Sequence, residues 1–346
     1  MTTTVALDCM GGDHGPQEAV RGAAALSLKR QDIRLILVGD APILSDLLDD
    51  CAYNPAQLSI EHAGEWVEQH EKPREALKAK PNASILVACR SVAEGRAQSI
   101  VTAGSTGAAI LAADFCLGRI PGVHRAALAA VTPTELSHGP REDPFALLLD
   151  VGATLHATAE DLVTFAVMGS AYASAISGND NPRLALLSNG TEPEKGPAEV
   201  VEAHKLLVGM ESLNFVGNVE GLDIPRGTVD VVVTSGFLGN VVLKMVEGIG
   251  EVISDLASDA YARKFLWRLG LTMLSSGLKE IESVMDWESY GGAPILGFRH
   301  PVLKAHGRSR SRALGNACKV AAKAARSDMV RVVEDSLAAL PETIGS

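Results

Sequence analysis

Short, continuous apolar runs recur along the chain, most of them closed by glycine or a small polar residue and followed by a helical pattern. Residues 3–7 (TTVAL) open the series, and residues 34–38 (RLILV) repeat it, ending at Gly39-Asp40. Further runs stand at 99–104 (SIVTAG), 146–151 (ALLLDV), 183–188 (RLALLS), 213–219 (LNFVGNV) and 229–234 (VDVVVT). Most are apolar at consecutive positions instead of alternating, as expected of strands covered on both faces. Between them lie helical patterns such as 84–96 (SILVACRSVAEGR), and Pro16 with Gln17 and Glu18 suits a first helical turn. Strand and helix in alternation predict an α/β fold with a mostly parallel, doubly wound sheet. No fixed-period repeat, low-complexity stretch or linker divides residues 1–346. Ligands of such sheets sit beyond the carboxyl ends of the strands, where these glycine turns fall.

One region departs from this rhythm. Residues 250–288 contain no convincing strand, and 265–274 (FLWRLGLTML) places large apolar side chains on nearly every helical face. Two readings fit: a helix pair buried in a dimer or domain interface, or a projecting helical tip whose Phe265, Leu266, Trp267 and Leu271 meet an acyl chain, a partner or a membrane surface.

Composition narrows the class. The chain is 47% hydrophobic and 4% aromatic, which describes a globular protein with ample core. A net charge of −11 argues against nucleic acid as a partner of the whole surface. The start, MTTTVALDCMGGD, meets Asp8 before any long apolar run and does not read as a signal peptide, and no run reaches membrane-spanning length. Cys9, Cys51, Cys89, Cys116 and Cys318 form no CxxC pair, so a reduced, cytoplasmic setting is expected.

The glycine turns carry the candidate chemistry. LDCMGGDHGP (7–16) leaves a strand through Asp8, Gly11, Gly12, Asp13 and His14. Asp13 could cap the helix that follows, but Asp8 and His14 are not needed for a turn. TAGSTGAA (102–109) sets Gly104, Ser105, Thr106 and Gly107 between a buried strand and a helix, either as a capped turn or as a cradle for an oxyanion. SNGTEPEKG (188–196) crowds Glu192, Glu194 and Lys195 into one loop; the choice is a solvated surface loop or a placed cation. TSGFLGN (234–240) puts Gly236 and Asn240 at a strand end, Asn240 serving as a cap or as a donor to a substrate oxygen. YGGAPILG (290–297) reads as another glycine-rich turn. FRHPVLKAHGRSRSR (298–312) holds Arg299, Lys304, Arg308, Arg310, Arg312 and His306 with no acid, a local inversion of charge suited to an acidic partner or a phosphorylated ligand. The histidines at 62, 70, 124, 138, 156 and 204 read as surface or loop residues. HExxH, Cys/His zinc spacing and a GxSxG elbow are all absent from the sequence, and nothing marks a covalent nucleophile. Anion cradles and charged donors remain, which favours an external nucleophile already ionised at neutral pH.

Seven blocks, VALDCMGGDHGP, VTAGSTGA, LLLDVGA, VTFAVMGS, SGFLGNVVLKMVEG, YGGAPILG and VLKAHG, occur in order over almost the whole chain. Together they closely resemble the acyl-ACP:phosphate acyltransferases of bacterial phospholipid synthesis, the PlsX family. The resemblance implies a single three-layer α/β/α domain related to isocitrate and isopropylmalate dehydrogenases and to phosphate acetyltransferases. It implies transfer of a fatty acyl group from acyl carrier protein to inorganic phosphate, without metal or nicotinamide, by a cytoplasmic homodimer that associates peripherally with membrane. By the same resemblance Lys195 and Asn240 are the catalytic pair. Asp8, Gly11, Gly12, Asp13, His14, Gly104, Ser105, Thr106, Gly107, Gly236 and His306 would line the substrate site. Region 250–288 would be the projecting helical part, with Arg263, Lys264, Phe265, Leu266, Trp267, Arg268 and Leu271 facing carrier protein or membrane. Four positions differ from the family pattern: Ser105 stands for asparagine, Ser235 and Leu238 for aspartate and threonine before and within the GFxGN block, and Thr154 for asparagine after GA. An acyl-CoA:phosphate transferase and a non-catalytic carrier-binding or membrane-binding paralogue are the alternatives.

Overall fold

The computed structural model describes residues 2–138, 143–263, 272–274 and 291–339. Within them the apolar runs pair into one sheet of eleven strands: β1 (Thr3–Asp8), β2 (Ile33–Gly39), β3 (Leu58–His62), β4 (Ser99–Thr102), β5 (Ala127–His138), β6 (Asp143–Leu149), β7 (Arg183–Leu187), β8 (Asn214–Val219), β9 (Val231–Val233), β10 (Ala293–Leu296) and β11 (Val302–Lys304). Their order is β3-β2-β1-β4-β11-β10-β5-β6-β9-β7-β8. The first five run parallel to one another, as do the last four; β10 and β5 join the two sets through antiparallel pairings.

Side-chain alternation along the strands produces the three layers. On β1, Val5 and Leu7 pack with the helices Gly15–Lys29 and Ser311–Arg326, whereas Ala6 faces the helices Ser84–Ala93 and Thr106–Cys116. On β6, Leu147 and Leu149 meet the helices Ala159–Ser177 and Ala198–Val208, while Leu148 packs beside Ile224, Val242 and Leu243 on the opposite face. The central helix Ala159–Ser177 begins with a reciprocal cap, Thr158 Oγ1 accepting from the Asp161 N–H (3.2 Å) and Asp161 Oδ2 from the Thr158 N–H (3.0 Å).

The apolar runs are strands as expected, to within a few residues. Four strands were not expected. β10 and β11 are only four and three residues long and hide among glycine, proline and basic residues; the GGAPILG turn is thus Gly291 and Gly292 followed directly by β10. β5 (ALAAVTPTELSH) carries alanines and Pro133, and β3 (LSIEH) is half polar, so neither has the continuous apolar signature. In the 250–288 region a single helix, Gly236–Arg263, runs through the first part. Lys264, Phe265, Leu266, Trp267, Arg268 and Leu271 lie outside the described residues, and Arg263 is described only as the last residue of that helix.

Phe165, on the inner face of the helix Ala159–Ser177, is completely buried in the core. Phe165→Ala is expected to lower stability by about 3–5 kcal/mol through the cavity it leaves, read as a shifted urea midpoint at unchanged slope.

Candidate active site

Two groups of loops carry the sequence motifs. The first stands at the carboxyl ends of three neighbouring parallel strands, where β1, β4 and β11 are in register: Ala6 beside Ile100 beside Val302, then Asp8 beside Thr102 beside Lys304. The first row is apolar core and the second is polar, so all three strands change character at one level on one face. Asp8 Oδ2 accepts from Thr102 Oγ1 at 2.7 Å, Asp8 Oδ1 from the Met10 N–H at 3.3 Å, and Ser84 also bonds the carboxylate. Burial nevertheless pushes the Asp8 carboxyl above its ordinary range. A small cavity lined by Asp8, Ser84, Thr102, Gly104 and Ser105 opens there.

Gly11 and Gly12 of GGDHG are explained by close approach. A Cβ on Gly11 would lie 2.5 Å from the Gly104 nitrogen, so the loops after β1 and β4 touch backbone to backbone. The Asp13 N–H donates to the Gly307 carbonyl at 2.8 Å, which draws in the loop after β11. Asp13 does not cap the following helix: the residue before it is His14, and His14 makes no capping bond either. The helix Thr106–Cys116 is likewise uncapped, since the Ser105 hydroxyl makes no capping hydrogen bond. Its first-turn N–H groups, at Thr106 and Gly107, therefore point from the positive end of the helix as an anion cradle. The Gly104 N–H is not part of that cradle, because it donates to Thr102 Oγ1 at 3.0 Å.

The second group stands at the ends of β6, β9 and β7, which are adjacent and parallel. Its anchor is Asp150, fully buried, whose Oδ1 accepts from the N–H groups of Leu128, Gly152 and Ala153 (2.9, 3.0 and 2.9 Å) and whose Oδ2 accepts from Thr154 (2.7 Å). The helix Gly236–Arg263 lands on this turn. The Gly236 N–H donates to Thr154 Oγ1 at 3.3 Å, and a side chain at Gly239 would overlap the Asp150 carbonyl oxygen. Gly236 is thus buried beneath the site. Asn240 is exposed, in the second turn of that helix and not at its cap, with its amide beside Gly152.

Lys195 is exposed on the loop after β7. Its N–H donates to the Glu192 carbonyl at 3.0 Å, and that carbonyl also accepts from Asn218 Nδ2 at 2.9 Å. Asn218 is held in turn by His204, Nδ1 to Oδ1 at 2.9 Å, with the His204 ring edge-on to Phe215. His204 is therefore a buried support of the Lys195 loop and not a surface residue, its helix Ala198–Val208 turning it against β8.

One helix links the two groups. Asn240 lies near the start of Gly236–Arg263; seven residues on, Glu247, together with Lys244, acts electrostatically on His306, and Glu251 pairs with Arg308 at 3.5 Å. Seven helical residues span about 10 Å. Burial lowers the His306 pKa, with Lys244, Lys304 and Arg308 acting in the same direction and Glu247 against them. Its Nδ1 accepts from the Arg308 N–H at 3.2 Å. Thr102, Ser84 and Asp150 were not singled out as site residues from the sequence, and Lys304 only as one of the basic run 298–312, although Thr102, Asp150 and Lys304 stand in three of the quoted blocks. No group of three or more His, Cys, Asp or Glu side chains among the described residues is arranged to hold a metal.

The architecture is that of the phosphotransacetylases and their dehydrogenase-like relatives. A phosphotransacetylase from Streptococcus pyogenes superposes with a TM-score of 0.64 at 17% identity, over 96% of this chain and 94% of that one. A 4-hydroxythreonine-4-phosphate dehydrogenase from Klebsiella pneumoniae gives 0.54 at 14% identity, over 94% and 100%. At those identities the likeness is one of fold. The sequence itself goes further: the family described as "Fatty acid synthesis protein" matches residues 3–332, and a phosphate acyltransferase of Desulfitobacterium hafniense (strain Y51) is 43% identical over 334 residues, 96% of this chain and 97% of that protein. The chain belongs to this family of phosphate acyltransferases.

Gly239→Ala is expected to lift the start of the helix from the Asp150 turn and to cost about 3 kcal/mol, seen as a lowered thermal unfolding midpoint.

Proposed function

We propose that this protein transfers a fatty acyl group from acyl carrier protein to inorganic phosphate, giving acyl phosphate for phospholipid synthesis. The observation that carries the reading is the pair of donor-rich loop groups, linked by one helix, within a chain of the phosphate acyltransferase family. Phosphate is already anionic at neutral pH, so it needs positioning more than deprotonation. A phosphate oxygen attacks the thioester carbonyl carbon, and the carbonyl oxygen takes up negative charge. Collapse breaks the carbon–sulfur bond, and the carrier thiolate leaves and takes a proton.

Exposed Lys195 is assigned to the phosphate charge and to protonating the thiolate, and Asn240 to hydrogen bonding the reacting oxygens. The uncapped amides of Thr106 and Gly107, with the Ser105 hydroxyl, offer a second place for anionic oxygen, and Asp8, Gly11, Gly12, Asp13, His14 and His306 wall that side of the cleft. No helix among the described residues is long and apolar enough to cross a membrane. The membrane contact proposed for residues 263–271 is peripheral, and the setting proposed is cytoplasmic.

The homodimer is assigned to the helix Gly236–Arg263. Val241, Met245, Ile249, Val252 and Leu256 recur at three- and four-residue spacing along one exposed stripe, each roughly half exposed or more. A stripe of this length rests against a second copy of the same stripe.

Purified protein is expected to release free thiol from a long-chain acyl-ACP only when phosphate is present, with acyl phosphate detected. Lys195→Ala and Asn240→Ala are each expected to lower turnover about 100-fold at unchanged unfolding temperature. Release from acyl-CoA alone would replace the carrier protein as donor, and carrier binding without turnover would remove the catalytic reading. The paired change Met245→Asp with Ile249→Asp is expected to halve the mass measured by light scattering; an unchanged mass would move the dimer contact elsewhere.

A further inference from the structure

Lys304 is a cation that the proposed reaction leaves unused, placed where three loops of the first group meet. It ends β11, on the face that Val302 of the same strand gives to the core, and it stands in register with Thr102 and Asp8. An apolar residue would serve packing there as well as Val302 does one step earlier. The side chain instead reaches two backbone carbonyls: Nζ donates to Ala103, at 3.1 Å, and to Ala305.

Both carbonyls belong to functional loops. Ala103 precedes Gly104 and the cradle helix, and its oxygen also accepts from Gln69 Nε2 at 3.4 Å. Ala305 precedes His306. The loop after β1 closes the junction, with Asp13 bonded to Gly307 and Gly12 lying against Ala103. Burial pushes the Lys304 ammonium down to about 8, while the carboxylates of Asp13 and Asp8 hold it up. His306, Arg308, Lys244 and Glu247 are further ionisable groups here, with Glu251 paired to Arg308 and His14 on the loop after β1.

We propose that Lys304 is a positioning residue for the acyl transfer: its ammonium clamps the Ala103 and Ala305 carbonyls together, which fixes the Thr106–Gly107 amide cradle relative to His306. The clamp needs the charged form, because a neutral amine gives up the charge that strengthens both hydrogen bonds. At pH 7 the lysine is charged in the folded and the unfolded chain alike. Its lowered pKa means that burial opposes folding below about pH 8, an effect relieved as pH rises further.

This inference rests on the acyltransferase reading for its kinetic arm only. In wild-type protein that turns over, Lys304→Met is expected to lower kcat about 100-fold while unfolding no earlier than wild type at pH 7, and Lys304→Arg to restore most of the rate. Wild-type turnover should fall as pH rises through about 8, and Lys304→Arg should hold its rate to higher pH. Hydrogen exchange reads the clamp without turnover. Amides 104–107 and 305–308 should exchange faster in Lys304→Met than in wild type, whether or not the enzyme accepts acyl-ACP. Unchanged exchange in those segments overturns the clamp, as does a Lys304→Met enzyme with wild-type kcat. An inactive wild type whose Lys304→Met variant still shows the faster exchange would overturn the acyltransferase reading and leave the clamp standing.

Discussion

Asp150 is the group on which the second half of the molecule depends. One buried carboxylate gathers four backbone N–H groups from the start of β5 and from the turn after β6. Each would be an unsatisfied donor without it, and charge-assisted acceptance makes the turn stiff. The backbone of Asp150 extends the ladder to Thr234, at the end of β9, and Thr234 returns a bond to Leu149. The helix Gly236–Arg263 can then start flush against this turn only because Gly236 and Gly239 lack side chains. Asn240 owes its place to that stack: carboxylate, turn, glycine contact, helix.

The first loop group is built differently. Three strands cross from apolar to polar at the same register, Lys304 at the end of one of them bonds the carbonyls of Ala103 and Ala305, and the loops interlock through Gly11, Gly104 and Gly307. The field there is mixed. Asp8 and Asp13 oppose Lys304, and Lys304, Lys244 and Arg308 disfavour the protonated form of His306. The neighbouring cradle, in contrast, is a helix end without a cap. Ser105, before that helix, makes no capping bond and leaves the end open. In the second group, the Thr154 hydroxyl meets the helix start at Gly236.

Much of this was legible in the chain, for definite reasons. The long parallel strands show as unbroken apolar runs because both faces are covered, and the motif glycines mark the loops because backbone touches backbone there. What stayed hidden depends on pairing across the sheet. β10 and β11 are too short to show a pattern, and only their neighbours make them strands. Lys304 read as one basic residue among several, since its register with Thr102 and Asp8 is a property of the sheet. His204 read as a surface residue because its partner, Asn218, lies on the next element. The motif alone suggests Gly236 as a substrate contact; the fold turns that glycine inward and leaves Asn240 exposed.

The helix Gly236–Arg263 is also a mechanical part. It carries Asn240 near one end, passes His306 within its next two turns, and bears the apolar stripe along the same rod. An α-helix resists stretching far more than loops do, so the spacing of the two loop groups is held by the least compliant element available to hold it. Whatever presses on the stripe loads that same rod. A force applied to that outer face is thus carried along the rod to the spacing between the two loop groups.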